Sequence, residues 1–111
     1  MIDWERVADL RAEVGEDDFR EVVELFLEEV EEVIDRLEIS PVAAKFEEDL
    51  HFLKGSALNL GFRHFSALCQ VGEKLSANGQ SGSVDIQAVL ISYRESKLVF
   101  LAELQAQTRA A

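Results

Sequence analysis

The sequence predicts an all-α protein: an antiparallel up-down-up-down four-helix bundle with a short N-terminal helix. Three observations carry that expectation. Apolar residues recur at spacings of three and four along four long segments, which is the pattern of a helix with one buried stripe. Only one proline, Pro41, interrupts the chain, and the glycines gather near expected helix ends rather than spreading as in a loop-rich β protein. No stretch alternates as a half-buried strand would, and the breaks between segments are short, which favours antiparallel neighbours.

The opening helix is expected from about Trp4 to Glu13, with Asp3 as N-cap, Val7 and Leu10 as its apolar edge and Gly15 as its stop. The next runs from about Asp18 to Leu37. Its stripe is Phe19, Val22, Val23, Phe26, Val30, Val33, Ile34 and Leu37, and acidic residues from Glu21 to Asp35 fill the other faces. Those acids read as a solvated face rather than an interaction surface. A turn at Ile39-Ser40-Pro41 leads into a helix from about Val42 to Leu60, where Phe46, Leu50, Leu53, Ala57 and Leu60 repeat as a bundle seam. A third long helix, about Arg63 to Ala77, presents Phe65, Leu68, Gly72 and Leu75 and breaks at Asn78-Gly79. After the polar loop Gln80 to Ser83, the last helix spans about Val84 to Gln105. Ile86, Leu90, Tyr93, Phe100 and Leu104 face inward there, and Lys97 interrupts the seam. Leu50, Leu53, Phe26 and Phe65 are expected in the core.

At 111 residues the chain is long enough for one hydrophobic core and is read as a single domain, 1–111. An apolar share of 48% separates it from disordered chains. A net charge of −11 opposes binding to nucleic acid or to anionic membrane surfaces, since both require a basic face. Such acidity favours a soluble monomer. No apolar run approaches membrane-spanning length, and the N-terminus has no signal-peptide pattern, so a cytoplasmic location is expected. Cys69 is the only cysteine, which excludes an internal disulfide and a cysteine-based zinc site.

One stretch, His51 to Gly61, strains against its structural role. At 100° per residue, His51 lies roughly 100–180° away from the seam residues of its helix, on a flank or in solvent. Lys54 and Gly55 follow one turn later on the same face, with Leu58 a turn beyond. A glycine inside a helix costs about 1 kcal/mol relative to alanine. Beside an imidazole, the missing side chain clears space for a bulky group or a close partner. A neutral imidazole is a good nucleophile toward phosphorus, and a lysine one turn away can screen the charge that arrives. Phosphoryl transfer asks for positioning and charge compensation more than for acid–base machinery.

His-x-Leu-Lys-Gly-Ser-x-x-x-x-Gly, at positions 51 to 61, resembles the signature of the histidine-containing phosphotransfer (HPt) domains of multistep two-component phosphorelays. The likeness extends to the helix from Phe19 to Leu37 and to the helix carrying Leu68 and Cys69. It implies that His51 accepts a phosphoryl group from a receiver-domain aspartyl phosphate and returns it to another receiver. It further implies that Lys54 supports the phosphoryl charge and Gly55 keeps the approach open. Partners would be receiver domains of response regulators or hybrid histidine kinases. The protein would be a carrier, not an enzyme, with no ATP site and no autokinase activity. It would need no cofactor of its own, any Mg²⁺ belonging to the receiver. Some members place a glutamine of the following helix beside the phosphohistidine. Glu73 occupies that position here, and a carboxylate there argues against the contact.

Leu58, lying about 20° from the His51 direction, is a candidate apolar docking contact. Its competing role is to pack under the opening helix. His64 has no comparable neighbours and reads as structural. Glu48-x-x-His51 matches half of a di-iron motif, but the second half is missing. Cys69 reads as a small hydrophobe at a helix interface, and Trp4 and Tyr93 as core or cap residues. Two other functions remain open: a bundle that binds and blocks a receiver or kinase without carrying phosphate, and a purely structural adaptor.

Overall fold

A computed structural model of the chain describes residues 1–110, with side chains through residue 107. Among the described residues it is all-helical, with five α-helices, two 3₁₀ turns and no strand. Helix α1 covers Trp4–Val14, α2 Glu16–Ile39, α3 Phe46–Leu60, α4 Arg63–Ala77 and α5 Ile86–Ala110. The largest departure from the expected boundaries lies at the start of α3. Residues Ala43–Lys45 form a 3₁₀ turn rather than the first α-helical turn. The last helix starts two residues later than expected, where the Asp85 carboxylate accepts the Ala88 N–H at 3.0 Å, and it runs on to Ala110.

The N-terminus is fastened by its backbone as well as its side chains. Asp3 caps α1 by accepting the Arg6 N–H at 3.2 Å, and its own N–H donates to the Gly61 carbonyl at 2.7 Å. The Arg63 N–H donates to the Met1 carbonyl at 2.9 Å, so the chain entering α1 is tied to the α3–α4 corner. Gly61 makes that corner possible. It ends α3 at φ 75°, and a Cβ there would sit 2.6 Å from the Asp3 carbonyl oxygen.

A single apolar cluster runs from Val7 and Leu10 of α1 to Phe100 of α5, with Leu50, Leu53, Phe65 and Leu90 fully buried at its centre. Trp4 stacks on Phe100 with centroids 5.9 Å apart, and Tyr93 is buried against Phe62 and Phe65. Phe26 departs from expectation. It is only half-buried, because the buried arc of α2 passes through Val23, Leu27, Val30 and Ile34, and Leu27 takes the inward place beside it.

Polar ties cross between helices at the edge of this core. Arg36 of α2 donates to Asp49 of α3 at 2.8 Å. Glu31 of α2 accepts from both Lys97 at 2.5 Å and the Tyr93 hydroxyl at 2.7 Å on α5. Lys97 therefore bridges two helices where the sequence showed only a gap in the seam. Burial raises the Glu31 carboxyl, and the two donors outweigh it, leaving the group below its ordinary value. No helix among the described residues is long and apolar enough to cross a membrane.

Candidate functional site

Helix α3 presents His51 with Leu50 and Leu53, its buried neighbours, locking the helix into the core. Relative to that anchor the imidazole projects into solvent, its side chain 70% exposed. Lys54, one turn on, is three-quarters covered, as is common for a lysine whose stem lies along the protein surface. Gly55 sits beside them on an open face. A Cβ built there would meet no atom within 4 Å, so nothing in the folded chain requires the glycine.

The third member of the group comes from α4. Glu73 is four-fifths buried, and its two carboxylate oxygens are divided between two partners. One lies 2.6 Å from His51 Nδ1 and the other 2.6 Å from Lys54 Nζ. The Lys54 ammonium is the largest influence holding the Glu73 carboxyl below its usual range, and the contact with His51 adds to it against the cost of burial. The contact that a carboxylate at this position put in doubt is thus made with the unphosphorylated histidine. Lys54 supplies the balancing charge, and an imidazole without phosphate is a donor at Nδ1, not a competitor for the lysine. Sequence position placed Glu73 near His51. The missed signal was Lys54 itself, which lets an acid sit there.

With Nδ1 occupied, Nε2 is the ring nitrogen left for chemistry. A carboxylate that accepts Nδ1–H fixes the tautomer whose Nε2 lone pair can attack an electrophile. Around the site, Glu47 and Glu48 are exposed one turn before His51. Glu48 lines a groove between α2 and α3 together with Glu29, Glu32 and Arg36. Leu58 is 57% exposed, so it does not pack under the opening helix; beside it, Asn59 accepts from Arg6 of α1 at 3.2 Å.

His64 is remote in kind: its Nδ1 lies 2.9 Å from the Ser92 hydroxyl, tying α4 to α5. Cys69 is fully buried one turn before Glu73. Burial, with Glu73 nearby, pushes its thiol up to about 12, so it packs as a small hydrophobe.

Comparison with known proteins agrees with this geometry. A family model described as Hpt domain matches residues 21–110, a range that holds His51, Lys54, Gly55 and Glu73. No curated protein and no solved structure matches the chain.

Proposed function

The chain belongs to the Hpt domain family, and on that premise we propose that it carries a phosphoryl group on His51 from one receiver domain to another. Hpt domains are phosphocarrier modules of phosphorelays that work with receiver domains, so the family supplies the reaction class and the kind of partner. The donor, the acceptor and the residue roles are our reading. What supports it most is the solvent-exposed imidazole whose Nδ1 is occupied by Glu73 while Nε2 stays open.

In the forward step, the Nε2 lone pair attacks phosphorus of a receiver's aspartyl phosphate. The new P–N bond forms as the P–O bond breaks, and the electron pair leaves on the receiver's carboxylate. The return step reverses this toward a second receiver. Lys54 compensates charge on the phosphoryl oxygens, and Gly55 leaves the receiver room to approach. Leu58 offers an apolar contact beside the site, where burying one leucine is worth roughly 1.5–3 kcal/mol. The chain acts as a monomeric single domain over residues 1–111 with its four long helices running up-down-up-down. It acts in the cytoplasm, without a cofactor or kinase activity of its own, and any Mg²⁺ sits in the receiver.

Paired histidine variants test the reading. His51→Gln abolishes acceptance of label from a phosphorylated receiver and leaves the melting curve near wild type, because the side chain is exposed. His64→Gln accepts label normally. Persistent label in the first variant and loss in the second would reassign the site.

A further inference from the structure

We propose that Glu73 is a positioning residue that keeps phosphorylated His51 protonated at Nδ1, and so in the form that gives its phosphoryl group away. The inference rests on the phosphocarrier reading above and adds the control of how long the group stays. It starts from one carboxylate whose two oxygens hold His51 Nδ1 and Lys54 Nζ at 2.6 Å each. In the free protein the Glu73 carboxylate accepts from His51 Nδ1, so that nitrogen turns its proton toward Glu73. When Nε2 takes the phosphoryl group, that proton need not move. The product is an imidazolium bearing phosphate, and its positive charge lies against the Glu73 carboxylate in a charge-assisted hydrogen bond.

Protonation matters because a phosphorylated imidazolium departs as neutral imidazole, whereas the deprotonated form would have to depart as an anion. The P–N electron pair returns to Nε2 as the accepting carboxylate or water forms its P–O bond, and the Nδ1 proton again stays in place. A neutral amide at position 73 could accept the same hydrogen bond but would not stabilise the cation. An acid partner that orients an imidazole and stabilises its charged form has the same physical logic in hydrolytic triads.

The charged groups on α3 and on the elements packed against it bear on this assignment. On α3, Lys54 opposes protonation, while Glu47 and Glu48 are exposed one turn before the histidine. From α2, Glu29, Glu32 and Arg36 line the groove that Glu48 shares, and Arg36 is engaged by Asp49. On α4, Lys74 follows Glu73 and is exposed. Lys45, of the preceding 3₁₀ turn, lies six residues before His51, and Arg6 of α1 binds Asn59, eight residues beyond it on α3. Of all these, Glu73 is the carboxylate in hydrogen-bond contact with the ring. Once a phosphoryl group is present, Lys54 has a second anionic partner, and its departure from Glu73 would strengthen the hold on Nδ1.

The test needs no receiver. The protein is loaded with phosphoramidate, a small phosphoryl donor, and phosphorus NMR follows both the titration of the phosphohistidine and its hydrolysis across pH. The site of label is mapped by peptide analysis. Glu73→Gln is expected to lower the titration midpoint by at least about half a pH unit, slowing hydrolysis at neutral pH about threefold. Lys54→Met is expected to move the midpoint upward, an opposite response that a merely structural disturbance would not produce. With label on His51, a midpoint unmoved or raised by Glu73→Gln overturns the proposal while leaving the phosphoacceptor intact. Label absent from His51 overturns both.

Discussion

His51 is legible in the sequence because its position depends on one helix alone. Five seam residues fix the phase of α3, and 100° per residue does the rest. Leu58 follows by the same reckoning, and its exposure agrees with it. Glu73 was harder to judge, since its effect depends on a neighbour two helices of sequence cannot align: Lys54 turns an apparently repulsive acid into a shared clamp. Gly55 yields the sharpest residue-scale prediction. Its added Cβ meets nothing in the free chain, and alanine is the better helix former. Gly55→Ala should therefore raise the unfolding free energy by about 1 kcal/mol in urea titrations. If the open space beside Gly55 serves the partner, as proposed, the same variant should slow phosphoryl transfer from receivers. Unchanged transfer would mean the glycine serves neither partner nor phosphate.

Helix α1 and the end of α3 matched expectation closely because capping and glycine stops are local signals. Asp3 and Gly61 do in the folded chain what their residue types suggest. The start of α3 and the inward arc of α2 were less legible, because tertiary contacts decide them. Phe26 and Leu27 are adjacent apolar residues, and periodicity alone cannot say which one turns in; packing buries Leu27. Leu53 is free of that ambiguity: it is fully buried in the seam that fixes His51. Leu53→Ala should cost about 2–5 kcal/mol by leaving a cavity, read as a fall in unfolding midpoint. Loss of transfer activity should follow only near that lowered midpoint, since the residue supports the site without touching it. A harmless substitution would place the core seam of α3 elsewhere.

At the scale of the molecule, a net charge of −11 sits on a bundle whose helices are tied by part-buried polar contacts. Glu31, Lys97 and Tyr93 join α2 to α5, and Arg36 and Asp49 join α2 to α3. These ties were invisible to periodicity, which registers Lys97 only as an apolar position missing from α5. They tie together helices of the bundle that carries an exposed histidine, and access to that histidine is what a carrier needs. Relay through His51 can be watched in a chase between two receivers. One labelled phosphoreceiver is mixed with the protein and a second, unlabelled receiver, and the three species are sampled in time. Label should leave the first receiver, pass transiently through His51, and appear on the second only when the protein is present. Label that never enters His51, or that reaches the second receiver equally well with His51→Gln, would contradict it.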